Sequence, residues 1–208
     1  MIIVGAKGFA KELLEVCHQL GITENLAFFD NLSSDLPEQL YGQFPILRSE
    51  EDVRAHLIKV DDKFTLGIGQ PKNRLYLSEL FQSWGGRLST LVSPGASIGS
   101  FQTSIQTGCT IMTGTVITND VTIGEGSLIN LNCTIGHDAI IGKYSELCPG
   151  VHVSGNVRIG EQCFIGTGAV ILPGVTLGNH VIVGAGSVVT RDVGRGLTVK
   201  GIPAISKF

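Results

Sequence analysis

The hydrophobic residues of the C-terminal half repeat with a period of six. From Ile105 to Val189, every sixth residue is Ile, Val or Leu, fifteen times in succession. Four residues after each comes a second series of mostly small residues, which begins at Cys109 and ends at Val193. A period of six fits neither the 3.6-residue turn of an α-helix nor the two-residue alternation of a strand. It indicates an internal repeat, and short fixed periods of this kind are typical of solenoids.

The repeat predicts a triangular β-helix. If the large and the small residue of each hexad point inward, three hexads close one coil, and the chain returns above its start after eighteen residues. Fifteen hexads then make five coils, which stack at the strand spacing of about 4.8 Å. Val92 and Ile98 continue the series upstream, with a shift of one residue before Ile105. We therefore expect a bulge or a loop in the first coil.

The first ninety residues have a different pattern. Short apolar runs predict buried strands at 1–4, 26–30 and 64–69, and helical spacing predicts helices at 11–20 and near 73–83. Alternating strands and helices indicate a small parallel sheet. We therefore expect a Rossmann-like α/β domain at residues 1–88, followed by the β-helix and its C-terminal tail at residues 89–208.

The turns that follow the predicted strands contain the residues of a candidate nucleotide-sugar site. Glycines after the first strand would let the backbone approach a phosphate at a helix N-terminus, and an acid after the second could bind a ribose hydroxyl or a base. The candidate residues are Gly5, Ala6, Lys7, Gly8, Asp30, Gly69, Asn73 and Arg74. The spacing lacks the full G-x-G-x-x-G, which argues against an NAD site. Tight turns in a purely structural unit are the alternative.

Composition excludes several classes of function. Charged residues are only 16% of the chain, and twenty of its 28 glycines follow Thr90, where the repeat begins. No basic patch emerges, so we expect no nucleic-acid partner. No apolar run approaches membrane-spanning length, and the N-terminus lacks a basic leader, so we expect a cytoplasmic protein without membrane contact.

The cysteines and histidines of the repeat are its candidate catalytic residues. Five cysteines without a C-x-x-C pair do not support a disulfide framework. Cys109, Cys133 and Cys163 occupy small inward positions and are expected to be buried, whereas Cys148 could be an acyl carrier or an inert residue. His137 lies with Asp138 at a predicted outward corner, where it could be a base or an ordinary solvated histidine.

The whole chain resembles the bacterial sugar O-acyltransferase family, which includes sialic acid O-acetyltransferases. Within that family it is most similar to the branch that N-acetylates nucleotide-linked amino sugars, such as UDP-4-amino-4,6-dideoxy sugars. Besides the hexads, the resemblance depends on the segments at 2–8, 67–74, 132–138 and 199–204. It implies that the β-helix is left-handed.

The resemblance also implies a mechanism and its site. His137 would be the general base supported by Asp138, and the N–H of Gly155 would stabilise the oxyanion in a direct transfer without an acyl-enzyme. Acetyl-CoA would lie in a groove between adjacent prisms of a homotrimer, with no metal. It would contact Gly166, Thr167, Gly184, Ala185 and Lys200. Some relatives have a second histidine nine residues after the base, and Glu146 stands there as a candidate acceptor contact.

Three alternatives stay open at the level of sequence. An O-acetyltransferase of a sugar hydroxyl, such as that of sialic acid, would use the same base. A zinc enzyme similar to γ-type carbonic anhydrase would need three histidines at a subunit interface, for which His137, His152 and His180 are the candidates. A non-catalytic nucleotide-sugar-binding protein is the third.

Overall fold

The N-terminal part of the chain is a six-stranded sheet with three helices in this computed structural model, which describes residues 1–206. Its helices are α1 Gly8–Gln19, α2 Glu50–Lys59 and α3 Pro71–Ser83; its strands are β1 Ile2–Val4, β2 Ala27–Phe29, β3 Gln39–Leu40, β4 Phe44–Leu47, β5 Lys63–Leu66 and β6 Arg87–Leu88. The strand order is β3-β4-β2-β1-β5-β6, and only β3 and β4 pair antiparallel. The predicted small parallel sheet is confirmed, with a hairpin added at one edge.

Local sequence explains where the helices begin. Ser49 and Asp52 form a reciprocal capping box at the start of α2, in which each side chain accepts a hydrogen bond from the other residue's backbone N–H. Pro71 occupies the first turn of α3, where its missing N–H costs no hydrogen bond. The helix α1 buries Ala10, Leu13, Leu14, Val16 and Cys17 along one side, as the apolar spacing predicts.

The hexads form a prism of two-residue strands, each of which ends at a large aliphatic residue of the repeat. They are β7 Leu91–Val92, β8 Ser97–Ile98, β9 Ser104–Ile105, β10 Thr110–Ile111, β11 Val116–Ile117, β12 Thr122–Ile123, β13 Leu128–Ile129, β14 Thr134–Ile135, β15 Ile140–Ile141, β16 Glu146–Leu147, β17 His152–Val153, β18 Arg158–Ile159, β19 Phe164–Ile165, β20 Val170–Ile171, β21 Thr176–Leu177, β22 Ile182–Val183 and β23 Val188–Val189. The left-handed parallel β-helix predicted from the sequence is confirmed.

Three parallel sheets form the faces of the prism. Face I contains β7, β10, β13, β16, β19 and β22; face II contains β8, β11, β14, β17, β20 and β23; face III contains β9, β12, β15, β18 and β21. Thr110 pairs with Leu128, so one coil takes eighteen residues. Ser97, by contrast, pairs with Val116, nineteen residues later. The predicted irregularity in the first coil is therefore one extra residue, in the loop between β8 and β9.

The interior of the prism is a continuous column of aliphatic and small residues. The large residue of each hexad from Ile111 to Val189 is at most 2% exposed, and the small residues from Cys109 to Val181 are also buried. The tail closes the C-terminal end, where β24 Thr198–Lys200 extends face I beyond β22 and pairs with β25 Ile205–Ser206. Among residues 1–206, no helix is long and apolar enough to cross a membrane.

The N-terminal sheet and its helices pack on the outer side of face I. Leu91, Met112 and Leu128 of this face share a buried cluster with α1 residues such as Leu13. Tyr144, at the corner before β16, joins a second cluster that includes Phe81 of α3. The last strand of the N-terminal sheet ends at Leu88 and the first strand of the prism begins at Leu91, so the chain passes directly from one unit to the other.

Candidate active site

His137 projects from the corner between faces II and III, in the turn that joins β14 to β15. Its imidazole Nδ1 lies 2.7 Å from a carboxylate oxygen of Asp138, and both side chains are more than half exposed. Asp138 has a φ of 60°, a left-handed conformation that Asp tolerates better than most residues. The corner thus turns the carboxylate back onto the preceding imidazole. When the Asp138 carboxylate accepts a hydrogen bond from Nδ1–H, Nε2 is the ring nitrogen left free to act as a base.

The next coil places Gly155 directly under the imidazole of His137. A Cβ atom on Gly155 would lie 2.6 Å from His137 Nε2, so a side chain there would displace the ring. The backbone N–H of Asn156 donates to the carbonyl of His137 and ties the two corners together. Within residues 1–206, no hydrogen bond engages the N–H of Gly155 itself. The imidazole therefore lies against Gly155, a residue whose backbone N–H is not engaged in a hydrogen bond.

The residues expected to contact acetyl-CoA share a different edge of the prism. Gly166 and Thr167 form the turn between β19 and β20, and Gly184 and Ala185 form the equivalent turn one coil later. A Cβ atom on Gly166 would lie 2.5 Å from the backbone nitrogen of Ala185, so the two turns stack closely. Lys200 is exposed at the end of β24, beside Gly184. All five residues lie at or beside the corner between faces I and II.

The candidate nucleotide-sugar residues gather where the parallel strands of the N-terminal sheet end. The turns after β1, β2 and β5 meet at this edge and enclose a cavity of about 160 Å³. Gly5, Asp30 and Ile68 are among its lining residues. Gly5 has a φ of 107°, and a Cβ atom there would lie 2.8 Å from the carbonyl oxygen of Gly67. Only glycine fits at this crossing of two turns. In open α/β sheets, ligands bind at such an edge.

The N-terminus of α1 opens beside the same turns. Lys7 is its N-cap residue and makes no capping hydrogen bond with its side chain; Ala6 is buried, and Gly8 is the first helical residue. The Lys7 ammonium instead pairs with Asp35 at 2.9 Å, across the loop that follows β2. Free backbone N–H groups at a helix start favour an anionic group. The phosphate contact that the sequence predicts at this end of α1 stays a prediction.

The side chain of Arg48 holds the loop at residues 30–37 in place, a role that we did not predict from the sequence. Arg48 follows β4 and donates to the carbonyls of Asp30, Ser33 and Leu36 at 2.8–3.0 Å. The Asp30 carboxylate accepts from the N–H groups of Leu32 and Ser33, so the loop holds the group that we expected to bind a ribose or a base. The position of Arg48 directly after β4, at the edge of the sheet where the candidate residues gather, could have indicated this role.

Arg74 occupies a different place from the one we expected. Asn73 is exposed at the start of α3, but Arg74 is fully buried, and its guanidinium donates to the carbonyls of Leu66, Ile68 and Gly126. No donor of Arg74 faces the cavity, so it is not available to a nucleotide. The polarity of the residue suggested a ligand contact, whereas its position on the inner side of α3 makes it part of the contact with the prism.

Glu146 lies on face I, against the turn that contains Gly69. It is 7% exposed, and one of its oxygens accepts the N–H of Gln70 at 2.6 Å. Within one chain it is separated from His137, because the corner between faces II and III lies opposite face I. Glu146 therefore lies at the contact with the N-terminal unit, and its predicted contact with an acceptor stays a prediction.

All five cysteines are free and buried. Cys109, Cys133 and Cys163 line the prism interior as expected, and burial raises the pKa of each thiol to about 11. Burial, and secondarily the negative charge of Glu146, raise the pKa of the Cys148 thiol to about 12. These thiols stay protonated at neutral pH, and thiols are weak nucleophiles in that form. Residues 1–206 contain no group of three or more His, Cys, Asp or Glu side chains placed to hold a metal ion.

The sequence matches two known families. Residues 1–81 match the PglD N-terminal domain, and residues 156–191 match the bacterial transferase hexapeptide family, described as six repeats. No curated protein matches the sequence.

Similar solved structures cover the whole chain. A histidine mutant of perosamine N-acetyltransferase from Caulobacter crescentus, in complex with CoA and GDP-perosamine, is 29% identical with a TM-score of 0.92; 100% of this chain and 96% of that chain are covered. The acetyltransferase domain of PglB from Neisseria gonorrhoeae, in complex with acetyl coenzyme A, is 28% identical with a TM-score of 0.88, over 99% and 98% of the two chains.

A third structure, WeeI from Acinetobacter baumannii, is 32% identical over 100% of both chains, with a TM-score of 0.88. Both units of the fold, in the same order, are thus found together in proteins of equal length. The chain belongs to the hexapeptide-repeat sugar acyltransferases with a PglD-type N-terminal domain, and it is an acyltransferase.

Proposed function

We propose that the protein transfers the acetyl group of acetyl-CoA to the amine of a nucleotide-linked amino sugar, with a UDP-4-amino-4,6-dideoxy sugar as one example. The observation that carries the proposal is the His137 imidazole, which contacts Asp138 and packs against Gly155, whose N–H is free. The cavity lined by Gly5, Asp30 and Ile68, which we call the nucleotide-type cavity, supports a nucleotide-linked acceptor. Relatives that bind CoA, acetyl-CoA and GDP-perosamine support the same class of substrates.

In the proposed reaction, His137 Nε2 takes a proton from the acceptor ammonium. The neutral amine then attacks the thioester carbonyl, and the N–H of Gly155 donates a hydrogen bond to the oxyanion that forms. The carbon–sulfur bond breaks, the imidazolium gives its proton to the departing CoA thiolate, and the attacking nitrogen loses its second proton to solvent as the amide forms. The products are the N-acetylated sugar and CoA. Acetyl-CoA and nucleotide sugars are metabolites of the cytoplasm, where we place the protein.

Thiol release from acetyl-CoA tests the proposal directly. We expect release with at least one of UDP-, dTDP- and GDP-linked 4-amino sugars, and the panel identifies the nucleotide at the same time. The corresponding 4-hydroxy sugars and sialic acid are the matched controls. Release with a hydroxyl sugar alone would replace the proposal with an O-acetyltransferase. No release with any of these acceptors would favour a binding protein without catalysis.

Direct transfer predicts that no cysteine carries the acetyl group. Cys148→Ser should therefore keep kcat within about twofold, because a protonated, buried thiol is a poor nucleophile. Mass spectrometry of the wild-type protein quenched with acetyl-CoA should show no acetylated cysteine. A covalent adduct on Cys148, lost in the serine variant together with turnover, would establish an acyl-enzyme instead.

We also propose that the protein is a homotrimer. The His137 corner lies opposite face I, and the N-terminal unit with its cavity packs on face I, so one chain does not bring the two together. A second copy would place its own corner beside the cavity, and we propose that this head-to-tail contact between prisms closes into a ring of three copies. Light scattering at micromolar concentration should give three times the 22.0 kDa chain mass. A monomeric mass combined with full activity would contradict this arrangement.

A further inference from the structure

Two charged side chains are buried where the N-terminal sheet meets the prism, and the proposed reaction uses neither. Arg74 of α3 is fully buried, and Glu146 of β16 is 7% exposed. Burial lowers the pKa of the Arg74 guanidinium to about 10, and the negative charge of Glu146 opposes that shift. Such groups are costly to bury and are found inside proteins when they satisfy specific partners. The hydrogen-bond partners of Arg74 and Glu146 therefore indicate what these two side chains stabilise.

The guanidinium of Arg74 bridges the two units of the chain. One terminal nitrogen donates to the carbonyls of Leu66 and Ile68, at 3.0 Å and 2.8 Å, at the start of the turn that follows β5. Its Nε donates to the carbonyl of Gly126 at 3.0 Å, at the corner of the prism before β13. The planar fork of arginine can reach both sides at once. A shorter or apolar side chain would leave buried carbonyls without a donor.

The carboxylate of Glu146 supports the same turn from the prism side. One of its oxygens accepts the N–H of Gln70 at 2.6 Å. The other lies so close to Gly69 that a Cβ atom there would approach it to 2.9 Å. Gln70 has a φ of 66°, which is unfavourable for a residue with a side chain. Such a conformation persists only when the surrounding structure enforces it, and Glu146 provides a direct contact that does so.

This turn is also a wall of the nucleotide-type cavity. Ile68 lines the cavity, and the carbonyl of Gly67 closes against Gly5 on the far side. We propose that Glu146, together with Arg74, is a positioning residue that fixes the Gly67–Gln70 turn for nucleotide binding. This inference depends on the proposed function for its substrate class, but nucleotide binding can be measured without catalysis. It gives Glu146 an indirect role, in place of a direct contact with the acceptor amine.

Three variants separate positioning from general loosening of the junction. Glu146→Ala removes the acceptor of the Gln70 N–H, whereas Glu146→Gln keeps an oxygen that can accept it. Tyr144→Phe is the matched control, because Tyr144 is buried in the same junction and bonds to Ser78 at 3.1 Å, away from the turn. The readouts are the Kd of UDP, dTDP and GDP by calorimetry, the KM of both substrates, and the Tm.

We expect Glu146→Ala to raise the Kd of the preferred nucleotide about tenfold, because it leaves the partly buried N–H of Gln70 without its partner and releases the turn. The KM of the nucleotide sugar should rise in parallel, while that of acetyl-CoA stays within about twofold. Glu146→Gln should restore most of the nucleotide affinity. Tyr144→Phe should lower the Tm without changing the Kd.

Several results would overturn the inference. One is an unchanged nucleotide Kd in Glu146→Ala; another is an equal loss of affinity in Tyr144→Phe. Weaker binding of the amino sugar with an unchanged nucleotide Kd would indicate a direct contact between Glu146 and the acceptor. A wild-type protein that binds none of the three nucleotides would also refute it. Nucleotide binding without acetyl transfer would contradict only the proposed function and leave the variants informative.

Discussion

Replacement of His137 by alanine is expected to lower kcat by about 10²–10⁴-fold, the usual contribution of a general base. The imidazole is the group placed to take the ammonium proton, with Asp138 2.7 Å from its Nδ1 and Gly155 packed against the ring. Without the base, the acceptor stays an ammonium ion and has no lone pair for attack. The loss should appear in kcat and in kcat/KM alike, because the proton moves only as the reaction proceeds.

Folding and assembly should survive this substitution. The side chain of His137 is 66% exposed in one chain and belongs to no buried cluster, so the Tm should match the wild type. Loss of one side chain from the proposed contact between copies should also leave the oligomeric mass unchanged. His18→Ala is the matched control, since His18 is also an exposed histidine but lies near the C-terminal end of α1. It should keep wild-type kcat. Full turnover in His137→Ala, or an equal loss in His18→Ala, would refute the assignment of the base.

The fold of the prism was predictable because the position of the inward residue is set within each hexad and recurs in every hexad. Each strand of the prism from β9 to β23 ends at the residue that the hexad pattern places inward, from Ile105 to Val189. A shift of one residue would turn an aliphatic side chain outward, so the spacing alone determines the register. The extra residue before Ile105 was visible for the same reason. Handedness came from family resemblance, because spacing is identical in both hands.

The contact between the two units could not be derived in this way. Arg74 bonds to Gly126 and Glu146 bonds to Gln70, and both pairs are far apart in sequence without any periodicity to connect them. On sequence alone, a polar residue after a glycine turn indicates a ligand contact, which proved wrong for Arg74. The organising role of Arg48 was missed for a similar reason, since its partners are backbone carbonyls that any residue supplies.

The site around His137 could be predicted from the sequence only in part. His137 and Asp138 are adjacent in sequence, and the hexads place them at a corner, so an exposed pair was predictable. The stacking of Gly155 under the ring follows from the eighteen-residue coil, because these residues occupy equivalent corners of successive coils. What the repeat cannot reveal is the surface that faces the corner, because in the proposed trimer it belongs to another copy of the chain.

Ile141→Asp is expected to prevent folding of the prism. Ile141 of β15 is 1% exposed and points into the prism, where its neighbours in the coils above and below are Ile123 and Ile159. Loss of a buried isoleucine side chain alone costs about 2–5 kcal/mol. An unpaired buried carboxylate adds a larger penalty, unless it stays protonated. Together they approach the total stability of an ordinary domain, about 5–15 kcal/mol.

The adjacent residue provides a control on the same strand. Ile140 is 37% exposed and points outward, so Ile140→Asp places the same charge beside water. Circular dichroism and thermal melting should show a folded protein for Ile140→Asp and no cooperative transition for Ile141→Asp. The contrast tests the inward assignment of the hexads, because a strand with reversed faces would give the opposite result. If both variants fold equally well, the interior tolerates a charge and the packed column cannot be what holds the coils together.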